Sequence, residues 1–155
     1  MPTPRKHRPP GVQHAALELE HFLPYRLSIL SNTISQGIAD DYQKRYDLNL
    51  TEWRVMAVLA RYAGLSAREV AERTAMDKVA VSRALARLVE AGWVSRHMHD
   101  SDKRRSVLDL TESGWAIHDV VAPMARAREQ AVLEKLTEEE RTWLVRILDK
   151  LMKQE

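Results

Sequence analysis

Lys78, Val79, Ser82, Arg83 and Arg87 have the types and the spacing to meet a polyanion. At about 100° per residue of helix Val79, Ser82, Arg83 and Arg87 fall on one side with Ala86, while Val81, Ala84, Leu85 and Leu88 fall on the other. The second set reads as a core face. The first is small and basic, without the Glu/Lys mixture of an ordinary solvated helix. Small residues let a helix backbone settle into a major groove about 12 Å wide, where arginine reaches base edges or phosphates. Lys78, Val79 and Ser82 stand near the N-terminal end, where the dipole and free N–H groups favour a phosphate. Lys103, Arg104 and Arg105 form a second basic cluster. A narrow loop carrying them fits a minor groove about 6 Å wide, and Asp102 can hold the Arg104 guanidinium extended.

Other chemistries find little support. His97-x-His99 puts two imidazoles on one face of a strand, but no cysteine or compact carboxylate set completes a metal site. The chain has no cysteine, which removes disulfides, thiolate zinc and cysteine nucleophiles together. Five glycines leave little scope for cofactor-cradling loops, and no Gly-rich phosphate loop, nucleophile elbow or HExxH is present. The expectation is a protein that is not an enzyme and uses neither cofactor nor metal.

The elements that would position the basic residues are legible from pattern. Leu27, Leu30, Ile34, Ile38 and Tyr42 make one stripe of a long helix over about Tyr25 to Tyr46, with Pro24 in its first turn. Thr51 is expected to cap a second helix that Gly64 can end. Ser66 and Glu69 form a capping box, with Leu65 and Val70 as its hydrophobic staple, for a short helix ending near Thr74 to Met76. Asp77 caps the next, Lys78 to Ala91, which Gly92 stops. Two helices joined by about three residues are a helix-turn-helix unit, and Ser66 at its start is counted with the DNA-facing residues. Trp93 to His99 and Ser106 to Leu110 read as a hairpin around a charged tip. Thr111 and Gly114 begin a helical stretch through about Leu136, which Pro123 should kink or divide. Thr137 and Glu140 box the start of a last helix striped by Leu144, Ile147, Leu148 and Leu151.

The fold class is therefore mainly α with a small β-hairpin wing: a winged helix-turn-helix lobe flanked by N- and C-terminal helices. Residues 1–14 hold four prolines and read as a disordered basic arm. Residues 15–155 read as one domain, with the lobe at about 51–111 and flanking helices at about 15–48 and 112–155. Net charge is only +2, yet residues 66–105 hold nine basic against six acidic residues, and the arm holds three basic and none acidic. Charge is thus polarised toward the lobe and the arm, as a DNA-binding face requires. No apolar run approaches the roughly 18 residues of a membrane span, and no secretory h-region follows the arm, so the expected setting is the cytoplasm.

The run Leu65-Ser66-Ala67-Arg68-Glu69-Val70-Ala71, the turn at Asp77, Val81 through Val94, and the wing Asp100-Ser101-Asp102-Lys103-Arg104-Arg105 leading to Leu108-Asp109-Leu110-Thr111 resemble the MarR family of bacterial transcriptional regulators. The resemblance covers about residues 22–152, and departs from it at Ser101, where the family often has proline. It implies a homodimer whose flanking helices interlock, binding near-palindromic double-stranded DNA. It also implies a small-molecule site between those helices and the lobe, with Arg26 for a carboxylate, Trp53 and Trp115 as aromatic walls, and Ser28 and His118 as further candidates. Phe22-Leu23-Pro24-Tyr25-Arg26-Leu27 is similar to the branch that answers to hydroxycinnamates and related aromatic acids. The expectation is a repressor released by such an acid. The alternatives are an effector-independent DNA-binding protein, activating or architectural, and a winged-helix protein-interaction module.

Overall fold

In the computed structural model, residues 15–101 and 105–153 are described. The chain divides into two compact units, residues 1–32 and 33–155. The first contains a short 3-10 turn, Leu19–His21, and the opening of α1 (Leu23–Tyr46). The second contains the rest of α1, then α2 (Leu50–Arg61), α3 (Ala67–Thr74), α4 (Lys78–Glu90), β1 (Val94–Met98), β2 (Ser106–Leu110), α5 (Glu112–Leu133) and α6 (Glu138–Met152). The mainly helical architecture with one antiparallel hairpin is the expected one. Among the described residues no helix is long and apolar enough to cross a membrane.

Reciprocal capping fixes where several helices begin. Ser66 and Glu69 at α3, and Thr137 and Glu140 at α6, form the boxes read from the sequence. At α2 the expectation fails by two positions. Asn49, not Thr51, is the cap: its side chain accepts from the Glu52 N–H, and the Glu52 carboxylate accepts from the Asn49 N–H, both at 2.9 Å. Asp77 caps α4 by accepting from the N–H groups of Val79 and Ala80. α4 closes in a Schellman motif, with Gly92 N–H to Val89 C=O and Trp93 N–H to Leu88 C=O, and Gly92 supplies the left-handed φ of +76°.

The core of the second unit lies where α2, α3, α4 and the hairpin meet. Val55, Met56, Leu59, Val70, Leu85 and Leu88 are buried there, the last two from the expected inner face of α4 with Val81 and Ala84. The hairpin pairs Val94 with Leu110, Arg96 with Leu108 and Met98 with Ser106, so Trp93 and His99 fall just outside its strands. The segment before α3 is stitched to β2: Leu108 N–H donates to Leu65 C=O at 2.8 Å, and Gly64 N–H to the Asp109 carboxylate at 2.6 Å. α1 is tied to α5 by a bidentate pair, Arg128 Nε and Nη2 to Asp41 at 2.6 and 2.8 Å, which holds the Asp41 carboxyl below its ordinary range.

α5 does not break at Pro123. One helix runs from Glu112 to Leu133 with the proline inside it, so Pro123 marks no boundary. It removes one N–H from the ladder, and the turns on either side carry the helix across.

Candidate nucleic-acid interface

α3 and α4, joined by a three-residue turn at Ala75–Asp77, present one continuous surface. Lys78, Val79, Ser82, Arg83 and Ala86 are exposed on the outer side of α4, Val79 at 57%. A shallow hollow of about 300 Å³ lies between the two helices, lined by Ala67, Arg68, Ala71, Lys78 and Ser82. Small side chains at its rim let a phosphate-bearing strand come close to the backbone, and Lys78 stands at the helix N-terminus. Arg83 has no ion-pair partner among the described residues, so its guanidinium is available to a ligand.

Three residues expected on the DNA-facing side are engaged within the chain instead. Arg87 pairs with Glu52 at 3.1 Å and reaches Asp47 at 3.5 Å. The Glu52 side chain is only 2% exposed and Arg87 half exposed, so Arg87 neutralises a buried carboxylate on α2 and fixes α4 to it. Arg105 donates to Glu69 at 2.6 Å and anchors the base of the wing to the start of α3. The Ser66 hydroxyl donates to the same carboxylate at 2.7 Å and accepts from the Glu69 N–H, which occupies it as a cap. A helical wheel shows only which side a residue leaves from; the Arg87 and Arg105 pairings join positions distant in sequence, whereas Ser66 with Glu69 is the local capping box. Asp102, Lys103 and Arg104 lie outside the described residues.

The Glu69 junction makes acid stability a test of the lobe. Hydrogen bonds from the backbone and hydroxyl of Ser66, then the Arg105 guanidinium, lower its carboxyl from an ordinary 4.5 to about 2. A depressed carboxyl stabilises the fold fully above its unfolded value and loses that contribution as pH falls toward the folded one. The thermal midpoint of the wild type is therefore expected to drop between pH 4.5 and 2 more steeply than that of Glu69→Gln. Parallel pH profiles for the two proteins would remove the junction from the account.

The ligand candidates separate by unit. Arg26 and Ser28 sit exposed near the start of α1 in the first unit. In the second, Trp53, His118 and Trp115 come together: His118 stacks on Trp53 at 5.7 Å and 26°, and meets Trp115 edge-on at 5.3 Å. Tyr42, which sequence reading placed only in a stripe, joins them at 6.0 Å from Trp53. Its hydroxyl is buried without a partner among the described residues, and burial pushes it up to about 12. The signal for it was a tyrosine at an otherwise apolar stripe position. His97 pairs with Asp109 at 3.5 Å, and His99 accepts from the Ser101 N–H. Among the described residues no group of three or more His, Cys, Asp or Glu could hold a metal.

Comparison with known proteins agrees with this geometry. Residues 46–105 match the family model described as MarR family. The HTH-type transcriptional regulator BilQ of Clostridium symbiosum is 30% identical over 95 residues, 61% of this chain; the chain spans 66% of that relative's length, just under two thirds. A MarR/EmrR family transcriptional regulator from Acinetobacter sp. ADP1 superposes with a TM-score of 0.78 at 28% identity, over 87% of this chain and 95% of that one. MarR from E. coli, solved as a mutant complexed with operator DNA, gives a TM-score of 0.73 at 25% identity, over 89% of this chain and 100% of that one.

Proposed function

We propose that the chain is a DNA-binding transcription regulator of the MarR type, acting as a dimeric repressor released from a near-palindromic operator by a small aromatic acid. The observation that carries the DNA reading is the outer face of α4, with Lys78, Val79, Ser82 and Arg83 exposed and Arg83 unpaired among the described residues. MarR of E. coli is solved on operator DNA, which supports placing that face in a major groove. Arg104 and Lys103 complete the contact from the wing as the sequence suggests. The setting is the cytoplasm, where such a duplex lies.

Dimerisation rests on apolar surface that a single chain leaves uncovered. In α6, Trp143, Leu144, Ile147, Leu148 and Leu151 are all exposed, and so are Leu23, Leu27 and Leu30 in α1. Apolar stripes on flanking helices find their natural cover in a second copy. Two copies related by a two-fold axis set their α4 helices in grooves about 34 Å apart.

The effector reading places the ring of an aromatic acid against Trp53, His118 and Trp115; Arg26 as the carboxylate group and Ser28 as a further candidate carry over from the sequence alone, each with its own substitution as test. Release requires that the acid bind one conformation better than another, since equal affinity shifts no equilibrium. Gel-shift titration with hydroxycinnamates and simpler phenolic acids tests this. At saturating acid, operator affinity is expected to fall by about 5- to 150-fold, the usual range of coupling between two sites. Unchanged affinity across the series would remove the effector and leave a regulator that binds DNA unconditionally. One observation favours that second reading: Trp53 is 8% exposed and already stacked, so it serves as core.

A further inference from the structure

We propose a second anion-binding site, independent of the effector reading, in the hollow between α2 and the end of α3: it takes a small oxyanion-bearing organic molecule. The hollow is about 270 Å³ and is lined by Arg54, Ala57, Val58, Arg61, Tyr62 and Arg73, among others. The Tyr62 ring is flanked by two guanidinium groups, Arg73 at 4.0 Å and Arg61 at 5.1 Å from its centroid. Arg54 enters from α2, steadied by one hydrogen bond from its Nη2 to a neutral acceptor, the Ser35 hydroxyl, at 3.0 Å.

None of these three arginines has a carboxylate within ion-pair distance among the described residues, whereas Arg68, Arg87, Arg105 and Arg128 each have one. Helix dipoles account for part of the arrangement: Arg61 and Arg73 stand in the last turns of α2 and α3, where a cation is favoured. They do not account for Arg54, the fifth residue of α2 and past the turn over which its N-terminal dipole acts. Three like charges around one hollow repel one another, and a bound oxyanion relieves that repulsion while accepting forked N–H donors. Ala57 and Val58 offer an apolar patch and Tyr62 a ring edge for the ligand's body. The volume lies below the usual range for drug-sized ligands, about 300–1,000 Å³, which limits the ligand to roughly one ring.

The oxyanion is a carboxylate or a phosphate monoester, and the test separates them. The full chain is titrated with benzoate, phenyl phosphate and inorganic phosphate, followed by arginine Nε–Hε NMR signals and calorimetry. The Arg54 and Arg73 signals are expected to move. Affinity is expected to fall about tenfold or more in Arg73→Gln and Arg54→Ala, the loss of one charge-assisted hydrogen bond, and to hold in Arg126→Ala, an exposed arginine of α5. Circular dichroism shows whether Arg54→Ala, which loses its tie to Ser35, still folds; if it does not, Arg73→Gln alone decides. A response to benzoate identifies a carboxylate ligand, and a response confined to phenyl phosphate or inorganic phosphate identifies a phosphate. Silence to all three anions, full affinity in Arg73→Gln, or movement only on adding duplex DNA would overturn the proposal.

Discussion

Gly114→Ala is expected to lower the stability of the fold by about 3 kcal/mol or more. A methyl group at this position would collide with the Trp93 carbonyl oxygen and lie 3.0 Å from its carbonyl carbon, with Leu110 Cδ2 at 3.3 Å. Backbone, unlike the end of a flexible side chain, has little room to yield. The Trp93 carbonyl accepts from the Thr111 N–H at 3.0 Å, and the Trp93 N–H closes the end of α4 on Leu88. Thr111 in turn donates its hydroxyl to the Gly92 carbonyl at 2.6 Å and caps α5 by accepting from the Gly114 N–H. The end of α4, the entry to β1, the exit from β2 and the start of α5 thus meet in one knot of hydrogen bonds. Gly92→Ala makes the comparison: unlike Gly114 its φ is left-handed, but open space surrounds it, so only backbone strain of about 1–2 kcal/mol is expected. Thermal unfolding should show a fall of roughly 6–12 °C for Gly114→Ala and a smaller one for Gly92→Ala. Equal midpoints for the two variants would contradict the close approach.

Arg83→Ala is expected to weaken binding to a selected DNA site by about 1–3 kcal/mol for each copy on the duplex, while leaving the thermal midpoint near that of the wild type. Its guanidinium is exposed and makes no ion pair among the described residues, so its removal costs the fold little. Arg87→Ala should do the reverse, although one helical turn separates the two arginines. Its loss leaves Glu52 buried without its cation, and a fall in stability of about 2 kcal/mol is expected, below the range for fully buried pairs because Arg87 is half exposed. Fluorescence anisotropy on a selected fragment, paired with thermal unfolding, reads both effects. If Arg83→Ala binds as the wild type does, α4 does not read the duplex.

The contrast between Arg83 and Arg87 marks the limit of what was legible beforehand. Local chemistry was readable: Ser66 with Glu69 and Thr137 with Glu140 lie three residues apart and satisfy each other within one turn, so the pattern alone places two helix starts. Asn49 with Glu52 obeys the same rule, and attention to Thr51 obscured it because either residue type can cap. The inner face of α4 was equally readable, since 3.6-residue periodicity requires no partner to be known. What pattern could not supply was which charges find one another across the fold. Arg87 with Glu52, Arg105 with Glu69 and Arg128 with Asp41 join positions 35, 36 and 87 residues apart. The same holds for the gathering of Arg54, Arg61 and Arg73 around the hollow that Tyr62 helps to line, where each residue alone reads as solvated surface.

Hydroxyl-radical footprinting of the wild-type chain on a fragment selected from its source genome tests the central claim most directly. Two patches of protection related by two-fold symmetry, centred about one helical turn apart and both lost in Arg83→Ala, are the predicted result. A single unsymmetrical patch, or protection that survives the substitution unchanged, would contradict a pair of α4 helices set in successive major grooves.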